Sequence, residues 1–140
     1  MRIQSMVAII AGALLLAACA SQPRLAEVTV VASEFKFEPA SLEVPAGTLV
    51  RLTTQNTGTV EHDLSFLEIP MLQSGAASTP MAGHEMGNME QAPQLHAAAM
   101  NGQSVTVEFT PTKPGAYDFF YSVPGHKEAG MVGVLTVTAR

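Results

Sequence analysis

Histidine and methionine are the side chains of this sequence whose types and spacing suggest a definite chemistry. Thioether sulfur and imidazole nitrogen are soft ligands that suit Cu(I), and imidazole also accepts Cu(II). Five methionines and two histidines crowd into about thirty residues: Met71, Met81, His84, Met86, Met89, His96 and Met100. Glycine, asparagine and glutamate surround these methionines, which are not spaced like a core stripe. The stretch therefore favours a set of secondary copper ligands (Met81, His84, Met86, Met89, His96, Met100) over a flexible loop that uses methionine as an adaptable contact residue.

Other residue types do not suggest a reactive group. The carboxylates are scattered, the serines lack an accompanying His/Asp motif, and no glycine-rich phosphate loop follows a strand. We expect Glu61, Asp63 and Glu68 to form a solvated acidic rim. A formal net charge of -5 argues against binding to nucleic acid, which needs a basic surface. The sequence therefore indicates neither an enzyme nor a nucleic-acid-binding protein.

The single cysteine, Cys19, excludes an intramolecular disulfide, a zinc finger and a CxxC redox pair. It follows Arg2 and an apolar stretch that is too short to span a bilayer comfortably, which is typical of a secretory signal. Residues 16–19, with the sequence LAAC, resemble the bacterial lipobox, in which the cysteine is lipidated and becomes the first residue of the mature protein. The alternative is an ordinary cleaved signal that happens to end near a cysteine.

This interpretation predicts a signal peptide at 1–18, a lipidated tether at 19–26 and a domain at 27–140. The protein is expected to be lipid-anchored in the bacterial cell envelope and to face the periplasm. Ala20 after the cysteine favours the outer membrane if the organism has one.

Short alternating stretches separated by turn residues make up most of the expected domain. They combine β-branched or aromatic residues with strand length and cover residues 28–32, 49–55, 64–67, 104–110, 116–122 and 132–138. Such a pattern, with little amphipathic helix, predicts an all-β antiparallel sandwich or barrel. The stretch 70–102 lacks the alternation and predicts an irregular insertion, in which residues 94–100 could form a helical turn or two.

Four segments resemble recurrent segments of the cupredoxins, the small blue copper proteins, and occur in the right order. They are residues 35–39 (FKFEP), 45–48 (PAGT), 56–64 (NTGTVEHDL) and 117–133 (YDFFYSVPGHKEAGMVG). The resemblance covers nearly all of residues 27–138 except the insertion, and it implies a cupredoxin-like Greek-key β-sandwich. In that family a strand ends in a cysteine ligand, a tight loop supplies a histidine, a methionine follows, and another histidine comes from upstream. The resemblance therefore implies that His62, His126 and Met131 bind copper.

Tyr121 stands where the family pattern has its cysteine. By strand alternation Tyr117, Phe119 and Tyr121 share one face, which would point into the core and towards the metal. A phenol, with a pKa near ~10, stays mostly protonated at neutral pH, and its oxygen lies further from the backbone than a cysteine sulfur. Tyr121 therefore either plugs the cavity, the preferred interpretation, or coordinates a displaced metal. Cys19, over a hundred residues away, does not replace the thiolate.

These observations predict a copper-binding envelope lipoprotein that acts in copper sequestration, transfer or tolerance. Its expected partners are copper as Cu(I), Cu(II) or both, the membrane through a lipid anchor at Cys19, and an envelope copper-handling or redox protein. One alternative is a cupredoxin-type electron-transfer protein. A second is a metal-free interaction module, in which His62 and His126 serve packing or hydrogen bonding.

Overall fold

The computed structural model describes residues 24–73 and 91–140, which contain ten β-strands. In chain order these are β1 (Leu25–Ser33), β2 (Lys36–Glu38), β3 (Ser41–Pro45), β4 (Leu49–Asn56), β5 (His62–Phe66), β6 (Met71–Gln73), β7 (Leu95–Ala99), β8 (Ser104–Pro111), β9 (Gly115–Phe120) and β10 (Val132–Thr138). Within the two described ranges, no helix has the length and apolar character needed to cross a membrane. The expected signal peptide at 1–18 and the anchor residue Cys19 lie outside these ranges.

The strands form two five-stranded sheets, which confirms the predicted all-β sandwich. The first sheet has the order β2-β1-β4-β8-β6, and the second has the order β3-β10-β9-β5-β7. Two pairings are parallel, β1 with β4 and β3 with β10, and the others are antiparallel. Strands that follow one another in the sequence are therefore often not adjacent in a sheet, and the chain crosses repeatedly between the two sheets.

The core lies between the sheets and is built by alternation along each strand. In β4, for example, Val50 and Leu52 are buried, whereas the neighbouring Arg51 is half-buried at the edge of an ion-pair cluster. A group of aromatic rings fills the centre: Phe66 lies 5.7 Å from Phe119, measured between ring centroids, and 6.1 Å from Phe109. This packing fixes the relative position of β5, which begins at the candidate site, and β9, which ends there.

Two strands lie inside the stretch 70–102, which was expected to be irregular. β6 pairs with β8, and β7 pairs with β5 over its whole length. The expected helical turn at 94–100 is therefore wrong. The alanines of β7 have a high intrinsic helix propensity, but pairing with β5 overrides it. Because β7 is buried on both faces, its sequence also lacks the alternation of apolar and polar residues by which strands are recognised. β1 also begins at Leu25, two residues before the expected domain start.

Candidate metal centre

Three of the residues predicted to form the site meet at one end of the sandwich. His62 opens β5, Tyr121 follows the last residue of β9, and β5 and β9 are neighbours in the second sheet. The ring centroid of Tyr121 lies 5.1 Å from that of His62 and 4.5 Å from that of His126. The structure thus brings both histidines against the same tyrosine ring.

The loop 122–131 carries His126 and ends at Met131, and main-chain hydrogen bonds hold it closed. The N–H of Met131 donates to the carbonyl of His126 at 2.9 Å, and the N–H of Tyr121 donates to the carbonyl of Met131 at 3.2 Å. Gly125 and Gly130 have φ values of 90° and 101°, a backbone conformation that favours glycine. Met131 is fully buried and belongs to the hydrophobic core. The methionine is therefore buried in the core at the end of the loop that holds His126.

The imidazole of His62 is buried and held in one tautomer. Its Nδ1 lies 3.1 Å from Oδ1 of Asn56 and 3.1 Å from the carbonyl of Val60. The Asn56 amide is oriented by its own contacts, since Oδ1 accepts from the N–H of Gly58 and Nδ2 donates to the carbonyls of Val60 and Ala99. Both partners of Nδ1 are acceptors, so Nδ1 carries the hydrogen and Nε2 carries the lone pair. Nε2 is the nitrogen of His62 able to bind a metal without breaking these hydrogen bonds.

Gly58 allows the His62 ring to lie close to the preceding turn. A Cβ atom added at Gly58 would lie 2.5 Å from Cε1 of His62 and 3.0 Å from Nδ1, which is closer than real Cβ contacts. The position therefore requires glycine for the observed placement of the imidazole.

The Nδ1 atom of His126 is buried and has no hydrogen-bond partner. Buried polar atoms are almost always paired, because an unpaired one loses its hydration without compensation. Its ring is held on two sides, edge-on by Tyr121 and face-to-face by Phe35. An inward-facing imidazole nitrogen that lacks a partner fits the requirement for a metal ligand, as does the soft donor set of two imidazoles and one thioether.

Tyr121 is 5% exposed, and its hydroxyl donates to the carbonyl of Glu61 at 2.7 Å. Burial, followed by the negative charges of Asp63 and Glu61, raises the pKa of Tyr121 above its ordinary value. The side chain is therefore a neutral phenol whose hydrogen is already donated to a main-chain oxygen. Its ring, rather than its oxygen, is what contacts the two histidines.

Asp63 is not part of a solvated acidic rim, as the sequence led us to expect. It is 4% exposed, and its carboxylate accepts hydrogen bonds from Ser65 Oγ (2.8 Å), Ser122 N (3.1 Å) and Ser122 Oγ (2.7 Å). Ser122 directly follows Tyr121, so Asp63 ties the start of the loop 122–131 to β5. The sequence signal that could have indicated this role is the strand alternation that places Asp63 and Ser65 on one face.

The secondary candidate His96 lies apart from this centre. In the register of β5 and β7 it stands opposite Ser65, whereas His62 stands opposite Ala99, so the two histidines face opposite sides of the sheet. Its Nδ1 is 2.8 Å from Ser65 Oγ, and its buried Nε2 has no hydrogen-bond partner. Met100, just beyond β7, is 57% exposed. The other secondary candidates (Met81, His84, Met86, Met89) lie outside the described residues.

A carboxylate-rich or cysteine-rich metal site is not part of the described structure. Across residues 24–73 and 91–140, no group of three or more His, Cys, Asp and Glu side chains is arranged to hold a metal ion.

Comparison with known proteins gives a consistent family match. The model of the cupredoxin-like domain family matches residues 6–137. Two proteins named copper-resistant cuproprotein CopI are each 31% identical to this chain. The match to the protein of Rubrivivax gelatinosus covers 77% of this chain and 63% of the relative. The match to the protein of Pseudomonas aeruginosa covers 79% of this chain and 75% of the relative. The chain thus spans slightly less than two thirds of the Rubrivivax protein. Among solved structures, a dithionite-reduced auracyanin from Roseiflexus castenholzii superposes with a TM-score of 0.60 at 22% identity, over 80% of this chain and 96% of that one.

Proposed function

Because this chain belongs to the cupredoxin-like family, we propose that it binds copper in the bacterial cell envelope and acts in copper sequestration, transfer or tolerance. The names of the two CopI relatives, which describe copper-resistant cuproproteins, support copper as the metal and tolerance as the role. In this proposal copper is a cargo that the protein holds and passes on. The protein works by binding, and no catalytic step is assigned to it.

The observation that carries the proposal is the buried Nδ1 of His126, which lacks a hydrogen-bond partner. Bound copper would accept the lone pair of this atom, together with that of Nε2 of His62 and the thioether of Met131. All three donors are neutral, and soft neutral donors favour Cu(I). The same observation weighs against a metal-free module, because buried nitrogens that serve hydrogen bonding are in most cases paired.

Tyr121 acts in this proposal as a plug. Its phenol stays neutral and hydrogen-bonded to Glu61, and its ring contacts both histidines at the end of β9. Without a thiolate the centre lacks the copper–sulfur bond on which the electronic character of a blue copper site depends. We therefore favour copper holding over electron transfer.

The insertion supplies further ligands in this proposal. His96 contributes its unpartnered Nε2, and Met100 contributes an exposed thioether, to a set completed by Met81, His84, Met86 and Met89. Lipidation of Cys19 would hold the protein at the membrane surface, where an envelope copper-handling or redox protein would exchange copper with it. The outer membrane is the proposed location if the organism has one.

Anaerobic titration of the full chain with Cu(I) and with Cu(II), read by calorimetry and visible absorption, tests the proposal. We expect tight Cu(I) binding without the intense absorption of a copper–thiolate bond. His126→Gln should abolish the tightest site, whereas the matched control Lys127→Gln, on the next residue of the loop, should leave it unchanged. Intense absorption in the blue copper region would indicate electron transfer instead. Binding no tighter than that of a scrambled peptide would favour the metal-free module.

A further inference from the structure

The turn between β1 and β2 contains a residue in an unfavourable conformation. Ser33 and Lys36 are paired, so Glu34 and Phe35 form a two-residue connection. Phe35 has a φ of 61°, and it is the single non-glycine residue with positive φ among residues 24–73 and 91–140. Left-handed positions in such turns normally hold glycine or asparagine, because the side chain of a bulky residue crowds the backbone there. Phenylalanine is therefore a poor choice for the turn itself.

Phe35 is also unfavourably exposed to solvent. Its residue is 56% exposed, although the nearby Phe37 is buried in the core. Its ring lies nearly parallel to the imidazole of His126, with 5.5 Å between centroids and 13° between planes. Strained backbone that persists in a folded protein often marks a functional contact. Here the strain and the exposure occur at one residue, and the contact that accompanies them is the stack on His126.

The Phe35 turn is fixed to the chain segment that leads into His62. The Glu34 carboxylate accepts hydrogen bonds from the main-chain N–H of Thr59 at 2.6 Å and from the Thr59 hydroxyl at 2.9 Å. The bond from the Thr59 N–H is the largest cause of a lowered pKa at Glu34, so this carboxylate is ionised at neutral pH. The turn that holds Phe35 over His126 is therefore bonded to the segment that leads into His62.

The hydrogen bonds that close the loop hold the main chain of His126, whereas the buried Nδ1 of its side chain has no hydrogen-bond partner. Among the aromatic rings of residues 24–73 and 91–140, those of Phe35 and Tyr121 contact the imidazole. An imidazole with a buried, unpaired Nδ1 gains by rotating until that atom finds a partner. A ring stacked flat on its outer face opposes this rotation and covers the face from solvent.

We propose that Phe35 is a positioning residue for His126, which keeps Nδ1 turned inward and slows the entry and exit of copper. The exchange part of this inference rests on the proposed copper function, whereas the positioning part concerns the copper-free protein. Outer contacts of metal-binding histidines contribute to how firmly the metal is held, so the loss of this one is expected to change copper exchange about tenfold.

Phe35→Asn is the informative variant, because asparagine suits the left-handed turn and the fold should be retained with no decrease in melting temperature. Phe35→Tyr keeps the stacked ring, and Leu72→Asn, at a residue 67% exposed, is the matched control for replacing a surface apolar side chain. Two measurements are made: the NMR signals of the His126 ring without copper, and the rate at which a Cu(I) chelator removes copper.

In Phe35→Asn we expect broadened His126 ring signals, which report motion of the imidazole, and copper release about ten times faster. The tyrosine variant and the Leu72 control should resemble the unmodified protein. Unchanged ring signals together with an unchanged release rate would overturn the proposal. If the unmodified protein binds no copper, the proposed function fails, but the ring signals still decide whether Phe35 positions His126. If Phe35→Asn does not fold, Phe35→Leu removes the aromatic stack and is judged by the same two measurements.

Discussion

Replacing Tyr121 with cysteine tests the alignment of the whole site with one substitution. Tyr121→Cys would place a thiol at the end of β9, beside both histidines and on a residue whose main-chain N–H donates to the carbonyl of the buried Met131. Two imidazoles, a thiolate and a weak thioether form the ligand set of a blue copper site. We therefore expect an intense blue or green colour when Cu(II) is added to the variant.

The size of the accompanying stability change follows from the burial of Tyr121. The ring is 5% exposed, and removing a buried aromatic ring costs about 3–5 kcal/mol. Loss of the hydroxyl bond to Glu61 adds about 1 kcal/mol. A ligand present at about 1,000 times its dissociation constant restores about 4 kcal/mol. The copper-free variant should therefore unfold at clearly lower denaturant concentration, and excess Cu(II) should recover most of the loss.

The assay combines a visible spectrum with urea denaturation, each with and without Cu(II). Tyr121→Ser is the matched control, since it leaves a similar cavity and retains Cys19 but supplies no thiolate at the site. Colour in the cysteine variant alone supports the alignment. A cysteine variant that folds and stays colourless would refute it, and equal colour in the serine variant would assign the colour to Cys19.

Three further outcomes are expected. The pKa of Tyr121 is raised above its ordinary value near 10, so above pH 10 the unfolded chain loses a phenolic proton that the folded chain keeps; stability should fall as pH rises there. Urea titrations should show a weaker fall in Tyr121→Phe than in the unmodified protein. Gly58→Ala should weaken Cu(I) binding by displacing the His62 ring, with Thr57→Ala as the control; equal affinities would contradict the close contact. Deleting residues 81–89 should lower copper stoichiometry without unfolding the domain, whereas loss of the fold would show that the segment is structural.

Six strands could be predicted because apolar and polar residues alternate in their sequences, even in β5, where all five residues are buried. The six predicted stretches correspond to β1, β4, β5, β8, β9 and β10, in which apolar residues recur with strand spacing. The four remaining strands were missed. β2 and β6 have three residues each, too few to show a period, and β7 is buried on both faces. β7 is a strand because it pairs with β5, and this long-range pairing leaves no pattern in the local sequence.

The candidate site was predictable where motif spacing reflects chain geometry. The short loop between Tyr121 and Met131 brings its own residues together locally, whereas His62 reaches them through the pairing of β5 with β9. Asp63 and Phe35 were missed for a different reason. The carboxylate of Asp63 is buried by its hydrogen bonds to Ser122, and Phe35 contacts a residue ninety-one positions away, so both roles arise only from tertiary structure.

The position of β10 in its sheet has a consequence for when the protein acquires its site. β10 is the last strand of the chain, yet it lies inside the second sheet, between β3 and β9. Until residues 132–138 are available, β9 lacks one neighbour and β3 has no partner in this sheet. Pairing between distant segments is also slow to form. We therefore expect a partly synthesised or partly exported chain to lack the assembled site, so that the proposed binding of copper at His62, His126 and Met131 follows the addition of the C-terminal strand.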